Sequence, residues 1–204
     1  MGFLRNLFAV MGVFSLIAGA VAYLKFAPML GQVSNLKQDV QVLKQLDPKA
    51  KQVYTEVWDK LKHSGNSADA TVWKVPVKAG LTAEAVEQSL MKVASTYLIT
   101  NLNPVSVSEQ AKAETGLNHR LFKTYQVCGG MTAMLMLEQS DAASAYLPCQ
   151  IALVQDKQGH LALYSQNMDM MLYGGKPLPP ALLTEASKVK NSILDMMNKA
   201  AAGA

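Results

Sequence analysis

The stretch from Leu7 to Leu24 holds eighteen positions without a charge, broken only by Gly and Ser. A helix needs about 20 apolar residues to cross the hydrocarbon core of a bilayer. Arg5 and the amino terminus flank the run on one side and Lys25 on the other. Two readings compete. Ala18-Gly19-Ala20 and Ala20-Val21-Ala22 fit a signal-peptidase site,. The apolar run continues through Val21, Tyr23 and Leu24, so no polar region precedes such a cut. An uncleaved anchor over residues 1–28 is therefore the expectation. The positive charge ahead of the run favours a cytoplasmic amino terminus. The remainder is then expected in the periplasm, held by a single span to the inner membrane of a bacterium, with the lipid bilayer as first partner.

Composition narrows the function classes. The chain has 204 residues and a net charge of +4, with lysines scattered rather than clustered. No stretch interleaves aromatics with Arg, which argues against a nucleic-acid partner. The sequence lacks a nucleophile elbow, a phosphate loop, a dinucleotide fingerprint and any Cys-x-x-Cys pair, so no catalytic residue is assigned,. Cys128 and Cys149 are the only cysteines, too few for a disulfide framework,. Methionine is abundant at twelve, with Met131, Met134 and Met136 in one group and Met168, Met170 and Met171 in another.

Residues 29–65 read as a helical stalk. Val33, Leu36, Val40, Leu43 and Leu46 follow three-and-four spacing,. Asp47-Pro48 predicts a stop and a new start, with Asp as cap and Pro at the first helical position. A second stripe follows in Val53, Val57 and Leu61, beside Tyr54 and Trp58. Such helices fold back on their own domain or associate with a partner. Ser64-Gly65-Asn66-Ser67 marks the expected boundary,.

Residues 66–204 read as one domain. Strands are expected over 71–77, 121–127, 150–155 and 160–166, with a short extended piece at 105–107. Asp156 to Gly159 predicts a hairpin turn. Helices are expected from Thr82 as N-cap, over 108–115 ending at Gly116, over 129–139, and from Pro180 to about Lys199. The segment 97–102 is ambiguous between a frayed helix end and a strand. This pattern predicts an α+β fold, a mostly antiparallel sheet with helices on one face.

Cys128 ends a strand and precedes a helix that opens with Gly129-Gly130. Helical amides and the helix dipole would lower its thiol pKa there, and glycines permit close backbone approach to a ligand. The alternative is a buried, inert thiol. A disulfide to Cys149 is permitted in the periplasm. Parallel strands would place the two at opposite ends of the sheet, while a chain return through 140–147 would let them meet. A soft-metal site for copper is a further expectation. Cys128, Cys149, Met168 and Met170, with Met131 near, supply thiolate and thioether donors that select Cu(I). Met168 and Met170 share a face if that piece is extended. Methionine as core filler is the competing reading. His119 and His160 read as exposed loop residues.

The motif Tyr125-Gln126-Val127-Cys128 leads into an apolar helix. Leu147-Pro148-Cys149-Gln150-Ile151-Ala152-Leu153-Val154 follows, then an acidic-Gly hairpin at Asp156 to His160 and Asn167-Met168-Asp169. Over Thr82 to Met171 this pattern resembles the small bacterial and archaeal family catalogued as domain of unknown function 302. Gly129-Gly130 stands where that family usually has Asn-Pro or a similar pair. Gln150 stands where it usually has Arg, so an anion partner read from that Arg is not carried over. The resemblance implies a compact α+β domain similar to the TATA-binding-protein-like fold and a tendency to dimerise. It implies no established reaction. The expected function is thus a membrane-anchored binding or accessory domain that self-associates or docks on a membrane protein complex. The alternative is a thiol-dependent binder of a soft metal or sulfur species.

Overall fold

A computed structural model describes residues 19, 23, 36–99, 102–147 and 149–204. The apolar run at 7–24, apart from Gly19 and Tyr23, lies outside the described residues, as do Val33 and Pro148. Among the described residues no helix is long and apolar enough to cross a membrane. The chain divides into two compact units, residues 1–46 and 47–204. In the first, helix α1 spans Leu36–Leu43.

The second unit opens at Asp47, whose N–H donates to the Gly175 carbonyl at 2.8 Å. The Asp47 carboxylate accepts from the Lys49 amide at 2.8 Å, closing a turn before the helix begins,. Helix α2 therefore runs Ala50–Ser64, starting after Pro48 rather than at it, and stops at Gly65 in the left-handed region,. Ala50 and Val53 are buried, and the Tyr54 hydroxyl donates to the Gly174 carbonyl at 2.7 Å. A short helix α3, Ser67–Ala70, is capped by the Asn66 side chain. Ser64 to Ser67 is thus a turn within this unit.

The remaining elements are β1 (Val72–Pro76), α4 (Ala83–Thr96), β2 (Val105–Ser106), α5 (Val107–Thr115), β3 (Phe122–Gln126), α6 (Gly130–Gln139), a 3-10 turn (Asp141–Tyr146), β4 (Gln150–Gln155), β5 (Leu161–Gln166), α7 (Asp169–Tyr173) and α8 (Pro180–Ala202). The sheet order is β1-β5-β4-β3-β2, antiparallel at every pairing. The α+β architecture with a five-stranded antiparallel sheet matches the expectation from alternation and turn signals.

Register decides which side chains share a face, because successive residues of a strand point to opposite sides. Trp73, Ser165, Ile151 and Tyr125 form one row across the sheet, and Val75, Leu163, Leu153 and Lys123 the next. On this face Tyr125, Ile151, Leu153 and Leu163 are fully buried. Helices α4 and α8 cover it. Thr82 accepts from the Ala85 amide at 3.2 Å and starts α4, which buries Val86, Leu90 and Val93. Pro180 opens α8, which buries Ala186, Ile193, Met196 and Met197. Each large apolar side chain so buried stabilises the fold by about 1.5–3 kcal/mol. The opposite face carries Val105, Phe122, Val154 and Tyr164, and every strand residue on it except Ala162 keeps some exposure.

Three local details follow from the backbone. Of the two open readings for 97–102, the described residues 97–99 leave α4 as a turn with Leu98 at positive φ, and Asn103 is also at positive φ. The chain from Asp141 to Tyr146 winds as a 3-10 turn. Met168 takes helical backbone angles and α7 follows over Asp169–Tyr173, so this piece is helical instead of extended. The Asn167 side chain accepts from the Asp169 amide at 2.9 Å in the turn that leads into it.

Candidate functional site

Antiparallel pairing puts the end of β3 beside the start of β4. The Val127 amide donates to the Cys149 carbonyl at 2.9 Å, one step beyond the Gln126–Gln150 pair. Between them the chain leaves through α6 and returns through the 3-10 turn to the same end of the sheet. Cys128 and Cys149 meet there as a disulfide, 5.1 Å between Cα atoms and 21 residues apart in sequence. No free cysteine is left. Of the two open readings for these cysteines the structure adopts the bond, and the parallel geometry that would have separated them does not arise. Cys149 is buried and Cys128 half-buried.

Gly129 caps α6 in extended geometry, and neither it nor Gly130 has positive φ. A Cβ at either would meet nothing within 4 Å. Among the described residues no close backbone approach explains the two glycines.

A cavity of about 430 Å³ opens beside the disulfide. Cys149, Met168, Met171 and Ile193 line it, together with Tyr146 and a cross-strand row of amides from Gln126, Gln150 and Gln166. Every lining residue is uncharged. Met168 and Cys149 line the same cavity. Met170 does not line the cavity. On a helix, residues three apart share a face and residues two apart do not, so Met171 takes the place expected for Met170. Met131 is 76% exposed on α6, beside exposed Met134 and Leu135, and also lies outside the cavity. Helix α7 is held by the Asp169–Lys190 ion pair, and Tyr173 lies between the ammonium groups of Lys49 at 4.5 Å and Lys190 at 5.6 Å,.

His119 bonds to the Thr115 hydroxyl at 3.0 Å, and His160 pairs with Asp156 at 3.2 Å, both at exposed positions. Among the described residues no group of three His, Cys, Asp or Glu could hold a metal ion. Sequence reasoning missed a second polar cluster, at the helix–sheet interface. Glu87 on α4 and Lys123 on β3 form an ion pair, each about one-fifth exposed. Beside them the Tyr125 hydroxyl is buried without a hydrogen-bond partner. Burial, with the Glu87 charge adding to it, pushes that phenol well above its ordinary pKa,. Charged Lys123 on an inward strand position was the available signal.

A family model described as Domain of unknown function DUF302 matches residues 73–200, from β1 into α8. A crystal structure of an uncharacterized conserved DUF302 protein from Bacillus stearothermophilus aligns over 64% of this chain and 98% of its own, at 18% identity and a TM-score of 0.49. Among curated proteins none matches the chain. The match reaches well beyond half of the sequence, and the chain belongs to the DUF302 family.

Proposed function

We propose that this chain is a membrane-tethered accessory domain of the bacterial periplasm that self-associates through the less covered face of its sheet. One observation carries the reading. Among the strand residues of that face, Lys74 bears the only charge, and its ammonium lies over the Tyr164 ring at 5.6 Å. A solvated antiparallel face ordinarily alternates to charged residues. Phe122 and Val105 here remain 38% and 37% exposed. A face with one charge can meet its own copy about a twofold axis with little charge repulsion, as sheets stack about 10 Å apart. The uncharged run at 7–24 behind Arg5 supports the tether and the periplasmic side,.

Native mass spectrometry of the full chain in detergent tests self-association. A dimer is expected for the wild type and a monomer for Val154→Lys combined with Phe122→Glu. A strictly monomeric wild type overturns it. A carboxy-terminal reporter active only outside the cytoplasm is expected, and activity inside removes the assigned compartment.

A second reading, thiol-dependent binding of a soft metal, is favoured by the meeting of Cys149, Met168 and Met171 at one uncharged cavity.

A further inference from the structure

We propose that the Cys128–Cys149 bond is the closed state of a redox-gated Cu(I) site. Its open state offers two thiolates, from Cys128 and Cys149, and two thioethers, from Met168 and Met171. The inference rests on the soft-metal reading and adds its ligand set and its gate.

Four sulfurs are brought to one end of the sheet by separate local causes. Antiparallel β3 and β4 bring the cysteines together. The turn in which Asn167 accepts from the Asp169 amide leads into α7, and Met168 already has helical backbone angles. Met168 and Met171, three apart, both line the cavity with Cys149,. The Asp169–Lys190 ion pair fixes α7 against α8. The rest of the lining is amide, hydroxyl and hydrocarbon, with no carboxylate and no imidazole. Hard cations prefer carboxylate oxygen, and zinc prefers imidazole with thiolate, whereas thiolate and thioether without either select Cu(I).

The disulfide sets when the site exists. Cys128 is the more exposed residue of the pair and Cys149 the buried one. An incoming dithiol, as its thiolate, attacks Cys128 Sγ. The S–S bond breaks, a mixed disulfide forms at Cys128, and the electron pair leaves on Cys149 Sγ, which takes up a proton at the cavity. The second thiol of the dithiol then displaces Cys128. The dithiol ends as a disulfide, oxidised by two electrons, and the protein ends with two thiols. Cu(I) binding expels both thiol protons. An external disulfide reverses the exchange: one cysteine thiolate attacks it and a thiolate leaves. The second cysteine then displaces the mixed disulfide, and the external disulfide ends as a dithiol, reduced by two electrons. The Cys128–Cys149 bond that re-forms removes the two anionic ligands and releases the metal.

The test uses the full chain in detergent, either oxidised or reduced with dithiothreitol and desalted without oxygen. Each form is titrated against Cu(I) held by bicinchoninate, whose colour reports the metal lost to the protein. One Cu(I) per reduced chain and none per oxidised chain are expected, with only sulfur neighbours in X-ray absorption. Met168→Leu with Met171→Leu keeps side-chain volume and the fold. It should weaken binding by more than the roughly tenfold that loss of an outer-shell partner costs. Met131→Leu with Met134→Leu should leave binding unchanged. Equal binding by oxidised and reduced chains overturns the gate and leaves the soft-metal reading standing. Equal binding by the Met168/Met171 variant and wild type overturns the ligand set. No binding in either redox state overturns both this inference and the reading beneath it.

Discussion

Breaking the Cys128–Cys149 bond should cost the protein about 3 kcal/mol. Chain-entropy reasoning for a closed loop of this size gives that value before any change in native contacts. The bond joins residues 21 apart. The enclosed segment has little else to hold it, since from Gly129 to Leu147 only Met136 and Ala143 are buried. For a unit the size of residues 47–204, a loss of about 3 kcal/mol lowers Tm by roughly 6–12 °C. Thermal melts in a metal-free buffer, with and without a dithiol, measure it, and thiol titration confirms complete reduction. Hydrogen exchange should locate the loosening in α6 and the 3-10 turn, while β4 and β5 stay protected. Cys128→Ala with Cys149→Ala should reproduce the shift, slightly enlarged by the volume lost at buried Cys149. A fully reduced protein melting within about 2 °C of the oxidised one would refute the reasoning. So would protection lost evenly across the sheet.

Leu163→Ala, at a fully buried central position, should cost about 2–5 kcal/mol by urea denaturation. Thr82→Ala should cost about 1 kcal/mol through the lost cap on Ala85, with Thr82→Ser near wild type,. Tyr125→Phe should be neutral or stabilising by up to about 1 kcal/mol, because it removes a buried hydroxyl that has no partner,; a loss above about 2 kcal/mol would show that the hydroxyl is satisfied. Asp195 is held below the ordinary carboxylate range by hydrogen bonds from Lys199 and Tyr97. A depressed folded pKa gives stability that is present above the unfolded pKa and lost as pH falls through the folded one. The stability difference between wild type and Tyr97→Phe should therefore hold at neutral pH and shrink in acid denaturation series as pH falls below the ordinary Asp pKa of about 3.9.

Elements with a local signal were legible from residues alone. Thr82 announces α4, Gly116 ends α5, Gly159 at φ +90° turns the β4–β5 hairpin, and Pro180 opens α8. The short apolar run Ile151 to Val154 between two glutamines marks β4 to the residue,. The extent of the compact unit was harder to read. Its first helix packs through Ala50 as well as Val53, and alanine adds nothing to an apolar stripe. Asn66 there caps the four-residue helix α3, which has the same short polar composition as a linker.

The site depended on two facts that composition does not carry. Strand direction is one: the cysteines meet only because β3 and β4 are antiparallel neighbours, so an excursion that leaves one end returns to it. Local period is the other. Four residues from Met168 to Met171 are too few to separate period 2 from period 3.6, and the deciding group is the Asn167 side chain, one residue upstream. With the period settled, Met171 replaces Met170, and residues of one helix face and one strand end line a single cavity. Asn167→Ala should then loosen α7 and weaken Cu(I) binding by the reduced chain while leaving the cysteine pair intact, as thiol titration would check. Unchanged metal binding in that variant would separate the Asn167 turn from the site.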